Sequence, residues 1–141
     1  MKTIIIVLLV VAAGYFLSRE FRLAERLGFV DSRESKLRVL RENAAKFNSQ
    51  MPKPVDPETM GLGMDVTSEG VVYRYQMTSY TKQQLIGSGF IERLTPVLLA
   101  NACKEQNTLT ILRNKFSVSY SYLDKIGELV GTVVITPNQC K

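Results

Sequence analysis

Three acidic pairs stand close together in the sequence: Asp56 with Glu58, Asp65 with Glu69, and Asp124 with Glu128. Hydrolysis by two carboxylates needs the groups to face each other across a cleft at a set separation. Each pair here is local and falls in a turn or connector, where Asp and Glu are favoured for their own backbone hydrogen bonds. Ser117, Ser119 and Ser121 alternate along the chain, but no histidine and no G-x-S-x-G elbow is present to activate them. Gly87-Ser88-Gly89 lacks the lysine of a phosphate-binding loop. The missing histidine also removes the commonest metal ligand, and two cysteines cannot complete a four-ligand zinc site. The acid–base inventory is too thin for an enzyme, so no catalytic residue, metal or cofactor is expected.

Cys103 follows a helix-like segment and Cys140 is the penultimate residue. In a small exported domain an even cysteine count reads as a disulfide that pins a carboxy-terminal strand; the alternative is two reduced, buried thiols. A redox-catalytic role is poorly served, since no Cys-x-x-Cys spacing exists. Tyr73, Tyr75, Tyr120 and Tyr122 alternate within two apolar runs. If those strands are neighbours the rings form one patch. It is either a candidate partner-binding surface or a core layer beneath helices, the reading that alternation favours.

The elements that must position these residues can be read from periodicity. Leu37, Leu40, Ala44 and Phe47 form one stripe of a helix from about 32 to 48, entered through a capping box of Asp31 and Glu34. That stripe predicts packing on a sheet rather than a coiled coil, for which two heptads are too few. Residues 48–59, with Pro52, Pro54 and Pro57, predict an extended connector. Met60, Leu62, Met64 and Val66 alternate, as do Val71, Tyr73, Tyr75 and Met77, with a Ser68-Glu69-Gly70 turn between them. Thr81 and Gln84 suggest a further capping box, followed by helices at about 90–104 and 107–113. Two final strands flank the turn Asp124-Lys125-Ile126-Gly127. The expected fold is α+β, a four-stranded antiparallel sheet of two hairpins packed with helices.

The amino terminus adds a targeting element. Lys2 precedes a fifteen-residue apolar or weakly polar run, Thr3 to Leu17, the pattern of an export signal. Ala12 and Gly14 offer a cleavage site. Continuation through Tyr15, Phe16 and Leu17 favours an uncleaved membrane anchor, with Tyr15, Phe16, Arg19 and Arg22 at its boundary. A buried helix of a cytosolic protein is the remaining alternative. Residues 18–48 carry eight Lys/Arg against five Asp/Glu, whereas 49–141 carry nine against eight. The basic excess thus sits on a stem beside the apolar segment, where membrane lipid rather than nucleic acid is the expected partner. The expected organisation is an anchor or uncleaved signal at 1–17, a basic helical stem at 18–48 and a disulfide-bonded α+β domain at 49–141.

Certain residues resemble a loose group of small, mostly uncharacterised exported bacterial proteins: Asn48, Met51-Pro52, Val55-Asp56, Thr59, Tyr73-Arg74-Tyr75, Cys103, Tyr120-Ser121-Tyr122-Leu123-Asp124, Gly127 and Cys140. The resemblance implies an envelope location and a Cys103–Cys140 bridge, and carries no known activity. A type IV pilin-like outline fits less well, because the fifth residue after Gly14 is Arg19 rather than glutamate. The expectation is a non-enzymatic, single-pass inner-membrane protein whose periplasmic domain serves as a binding or accessory module for an envelope protein. The competing class is a secreted enzyme inhibitor or small hydrolase released by signal cleavage.

Overall fold

The computed structural model describes Leu27 and residues 32–140. The candidate membrane segment at 1–17 and its boundary residues Tyr15, Phe16, Arg19 and Arg22 lie outside the described residues. The elements in chain order are α1 (Arg33–Asn48), β1 (Lys53–Asp56), β2 (Thr59–Thr67), β3 (Gly70–Met77), α2 (Lys82–Gly87), α3 (Phe90–Ala102), α4 (Gln106–Arg113), β4 (Ser117–Leu123) and β5 (Leu129–Ile135), closed by a 3-10 turn at Pro137–Gln139.

Helix α1 begins at Ser32, whose hydroxyl accepts the Ser35 amide at 3.1 Å. The N-cap is therefore Ser32, and Glu34 is not the third helical residue that a capping box requires. Its apolar stripe is buried with Val39 and Asn43, and the helix lies against β2. Asn48 at its end grips the next layer. The Asn48 side-chain amide donates to the Met64 carbonyl at 2.8 Å and accepts the Met64 amide at 2.7 Å.

That grip is possible because β2 is bulged. Gly61 pairs with Tyr75 and Gly63 with Arg74, so Leu62 is an extra residue in the ladder. The expected single face of Met60, Leu62, Met64 and Val66 is broken at this point: Met64 is buried opposite Tyr73, whereas Met60 pairs with Gln76 and is only half-buried. Gly63 has φ +153°, and a Cβ there would lie 2.8 Å from the Asn48 Oδ1 and 2.9 Å from the Arg74 Nη2. Only glycine fits beside that clamp.

The sheet differs from the expected one. It has five strands in the order β1-β2-β3-β4-β5, and β3 runs parallel to β4. The fifth strand, β1, comes from the proline-rich segment read as a connector. Pro54 is tolerated because β1 is an edge. The parallel pair arises because α2, α3 and α4 together return the chain to the starting end of β3, placing Ser117 beside Gly70. Gly70 carries no Cβ where one would collide with the Ser117 backbone. The four-stranded antiparallel expectation is thereby corrected; among the described residues no helix is long and apolar enough to cross a membrane, and the expected membrane helix falls outside them.

One core holds the layers together. Leu37, Leu40, Ala44 and Phe47 of α1 join Leu94, Leu98 and Ala102 of α3 and Ile111 and Leu112 of α4 over the inner face of the sheet. The other face of β4, with Ser117, Ser119 and Ser121, is the more polar one, and Ser121 shares a 2.9 Å hydrogen bond with Thr132.

Candidate partner-binding site

The four alternating tyrosines come together, but inside the protein. Tyr73 pairs with Tyr120 and Tyr75 with Tyr122 across the parallel ladder. The rings stack with centroids 5.7 Å and 5.4 Å apart. Phe47 of α1 meets the edge of Tyr73 at 5.8 Å, and Phe90 of α3 meets Tyr122 at 5.3 Å. Exposure is 2 % for Tyr73, 3 % for Tyr75, 2 % for Tyr120 and 0 % for Tyr122. These rings are the seam between the two hairpins rather than a surface patch, because the parallel register sets all four on the helix-covered face. Burial, reinforced by neighbouring tyrosines, pushes the phenols of Tyr73, Tyr75 and Tyr122 well up; burial with the Glu105 charge does the same for Tyr120. The hydroxyls of Tyr73, Tyr75 and Tyr122 find no hydrogen-bond partner among the described residues.

The cysteines form the Cys103–Cys140 disulfide, with Cα atoms 5.3 Å apart. It ties the C-cap of α3 to the chain just beyond the 3-10 turn that follows β5.

The acidic pairs do not face one another across a cleft. Asp56 accepts the Glu58 amide at 2.8 Å, and Glu58 accepts the Tyr80 hydroxyl at 2.9 Å. Asp65 is ion-paired with Arg74 at 2.7 Å. Asp124 is a structural knot. Its Oδ1 accepts the amides of Ile126 at 3.0 Å and Glu128 at 2.8 Å, while its Oδ2 accepts the Lys82 amide at 3.0 Å. The turn between β4 and β5 is thereby fastened to the first residue of α2, which Thr81 and Gln84 cap as a reciprocal box.

That fastening creates a groove. Thr81, Lys82, Gln83 and Ile86 form one wall and Asp124, Lys125, Ile126 and Glu128 the other, around an open volume of about 410 Å³. Ile86 is 55 % exposed and Ile126 78 % exposed. Lys82 and Glu128 sit 3.8 Å apart across it. Sequence reading passed over both isoleucines, one at the end of a short helix and one in a turn. The available signal was Ile126 itself, a large β-branched residue set among Asp, Lys and Gly where turns favour small or polar side chains.

Burial pushes the Asp124 carboxyl up, yet the amides of Glu128, Lys82 and Ile126 and the Lys82 charge outweigh it and hold the group below its ordinary 3.8. A carboxylate depressed in the folded state stabilises it above pH 3.8, and that contribution is lost as pH falls through the lower folded value. Asp124→Asn is expected to place an NH₂ or a weaker acceptor against one of three donors. The melting temperature should fall by the equivalent of a charge-assisted hydrogen bond, and the acid limb of a melting-temperature profile below pH 4 should flatten. A variant with the parental acid limb would exclude this role.

No protein-family model and no curated protein sequence matches the chain. The fold nonetheless has solved counterparts. A protein of Pseudomonas aeruginosa described as secreted superposes with a TM-score of 0.67 at 13% identity, over 79% of this chain and 99% of that one. EpsS, the pilotin of the Vibrio vulnificus type 2 secretion system, gives 0.61 at 12% identity, over 77% and 96%. AspS, the type II secretion pilotin of Vibrio cholerae, gives 0.57 at 14% identity, over 77% and 95%. These likenesses define the class of fold. The expected single-pass inner-membrane placement is not upheld: among the described residues no helix is long and apolar enough to cross a membrane.

Proposed function

We propose that this protein is a non-catalytic accessory module of the bacterial envelope that holds a protein partner, with a segment of that partner seated in the groove between α2 and the β4–β5 turn. The observation that carries the reading is the exposure of Ile86 and Ile126 on facing walls of one groove. Two large apolar side chains left in water beside an open cleft mark an interaction site more than a stability feature. Lys125 lines the same cleft without an ion-pair partner among the described residues. An apolar segment flanked by a carboxylate therefore fits it. The shared fold with two secretion pilotins supports an envelope accessory role.

A photocrosslinking residue at position 126, activated in intact cells, is expected to capture one protein reproducibly. Ile126→Lys, on a side chain that contributes little to the core, is expected to weaken that complex by at least about tenfold while leaving the fold intact, as for a central contact. Co-purification of the captured protein that is unaffected by Ile126→Lys and Ile86→Lys together would remove the groove from the interface.

A further inference from the structure

The two edges of the sheet are guarded differently. β1 carries Lys53, Pro54 and Asp56, charges and an absent amide that discourage a further strand. β5 reads Leu-Val-Gly-Thr-Val-Val-Ile, with no charge, no proline and β-branched residues at five of seven positions. A register shift near its start leaves Gly131–Ile135 in regular pairing with β4. Among the described residues no strand pairs with its outer side. The exposed large apolar residues Leu129 and Val134 lie on β5, Ile126 lies in the turn that feeds it, and Ile86 lies across the groove from that turn. An uncharged, β-branched, unpaired edge is a template for another strand.

We propose that β5 is a self-association edge: two copies of this chain pair β5 with β5 in antiparallel fashion, joining their sheets into one of ten strands about a twofold axis. An isologous contact must be complementary to itself, and this strand meets that condition. In the register centred on Val133, Thr132 lies opposite Val134 of the second copy and Gly131 opposite its Ile135. No like charges meet along the ladder. Thr132 and Val134, the latter 52 % exposed, pair with Ser121 and Ser119 on the polar face of the sheet. Val133 and Ile135 pair with Tyr120 and Val118 and continue the apolar layer toward the second copy. The competing occupant, an extended segment of another protein, has no such constraint to satisfy.

Sedimentation of a dilution series of the oxidised protein is expected to show a monomer–dimer equilibrium. Amide exchange within Gly131–Ile135 is expected to slow as concentration rises. Val134→Lys replaces an exposed side chain, so melting temperature should be nearly unchanged, while like charges placed diagonally across the twofold weaken the dimer by about tenfold or more. Mixing the Val134→Lys and Val134→Glu chains is expected to restore a dimer containing one of each. The proposal is overturned by a monomer at every concentration, by a dimer indifferent to Val134→Lys, or by β5 amides that slow only when another protein is added.

Discussion

Above pH 10 the protein is expected to lose its fold within about two pH units, releasing its buried tyrosines together. All four phenols of the seam are held above their ordinary 10.0, chiefly by burial. A phenol whose folded value is raised gives stability that is complete below pH 10 and is lost as pH climbs toward that folded value. The reason is that the unfolded chain sheds protons the folded chain must keep. Each such group costs about 1.4 kcal/mol per pH unit, so four cost about 5.5 kcal/mol per unit, comparable to the whole stability of a small domain. Tyrosinate absorbance should therefore rise in a steep step that coincides with loss of the circular dichroism signal. Smooth titration of the four rings near pH 10 with the fold intact would refute the expectation. Tyr75→Phe offers a control. The Tyr75 hydroxyl has no partner among the described residues, so its removal should change neutral stability by about 1 kcal/mol or less while making the alkaline slope shallower by about a quarter.

Replacing Cys103 and Cys140 together by serine, or reducing the bridge, is expected to lower stability by about 4 kcal/mol. That figure is the chain-entropy value for a loop spanning a sequence separation of 37. The loop contains α4, β4 and β5, so the bridge restrains half of the tyrosine seam in the unfolded chain. It also secures the end of β5, a strand that pairs with β4 and that Ile91 of α3 approaches at Gly131. Urea unfolding with and without reductant measures the difference. Coincident midpoints would show that the bridge adds nothing to the equilibrium.

Much of the layout is visible in residue patterning, and the failures have physical causes. The stripe from Leu37 to Phe47 is visible because a helix covering a sheet needs one apolar face. The Thr81–Gln84 box is visible because its two hydrogen bonds are local. Strand β1 is hidden because Pro54 reads as a breaker in a sequence, whereas an edge strand has a ladder on one side only and tolerates a missing amide. The bulge at Leu62 is hidden because it answers Asn48, a residue from another layer. The parallel β3–β4 pair is hidden because its direction depends on where three helices deliver the chain, a sum no local window contains. As for the site, alternation pointed to Tyr73, Tyr75, Tyr120 and Tyr122 as a set but left open which side they face. The groove depends on Asp124 reaching the Lys82 amide across the fold, so neither Ile86 nor Ile126 stands out before the turn is fastened to α2.

The parallel seam has a bearing on how the chain assembles. The β2–β3 and β4–β5 hairpins each bring two of the four rings, and neither has a match for them until the helical excursion between β3 and β4 has closed. Closure entropy is spent before the stacking that rewards it. Each hairpin alone is a marginal ribbon with one greasy side. We therefore expect the pairing of β3 with β4, rather than the formation of either hairpin, to limit folding, with the helices between them as the tether that sets their effective concentration.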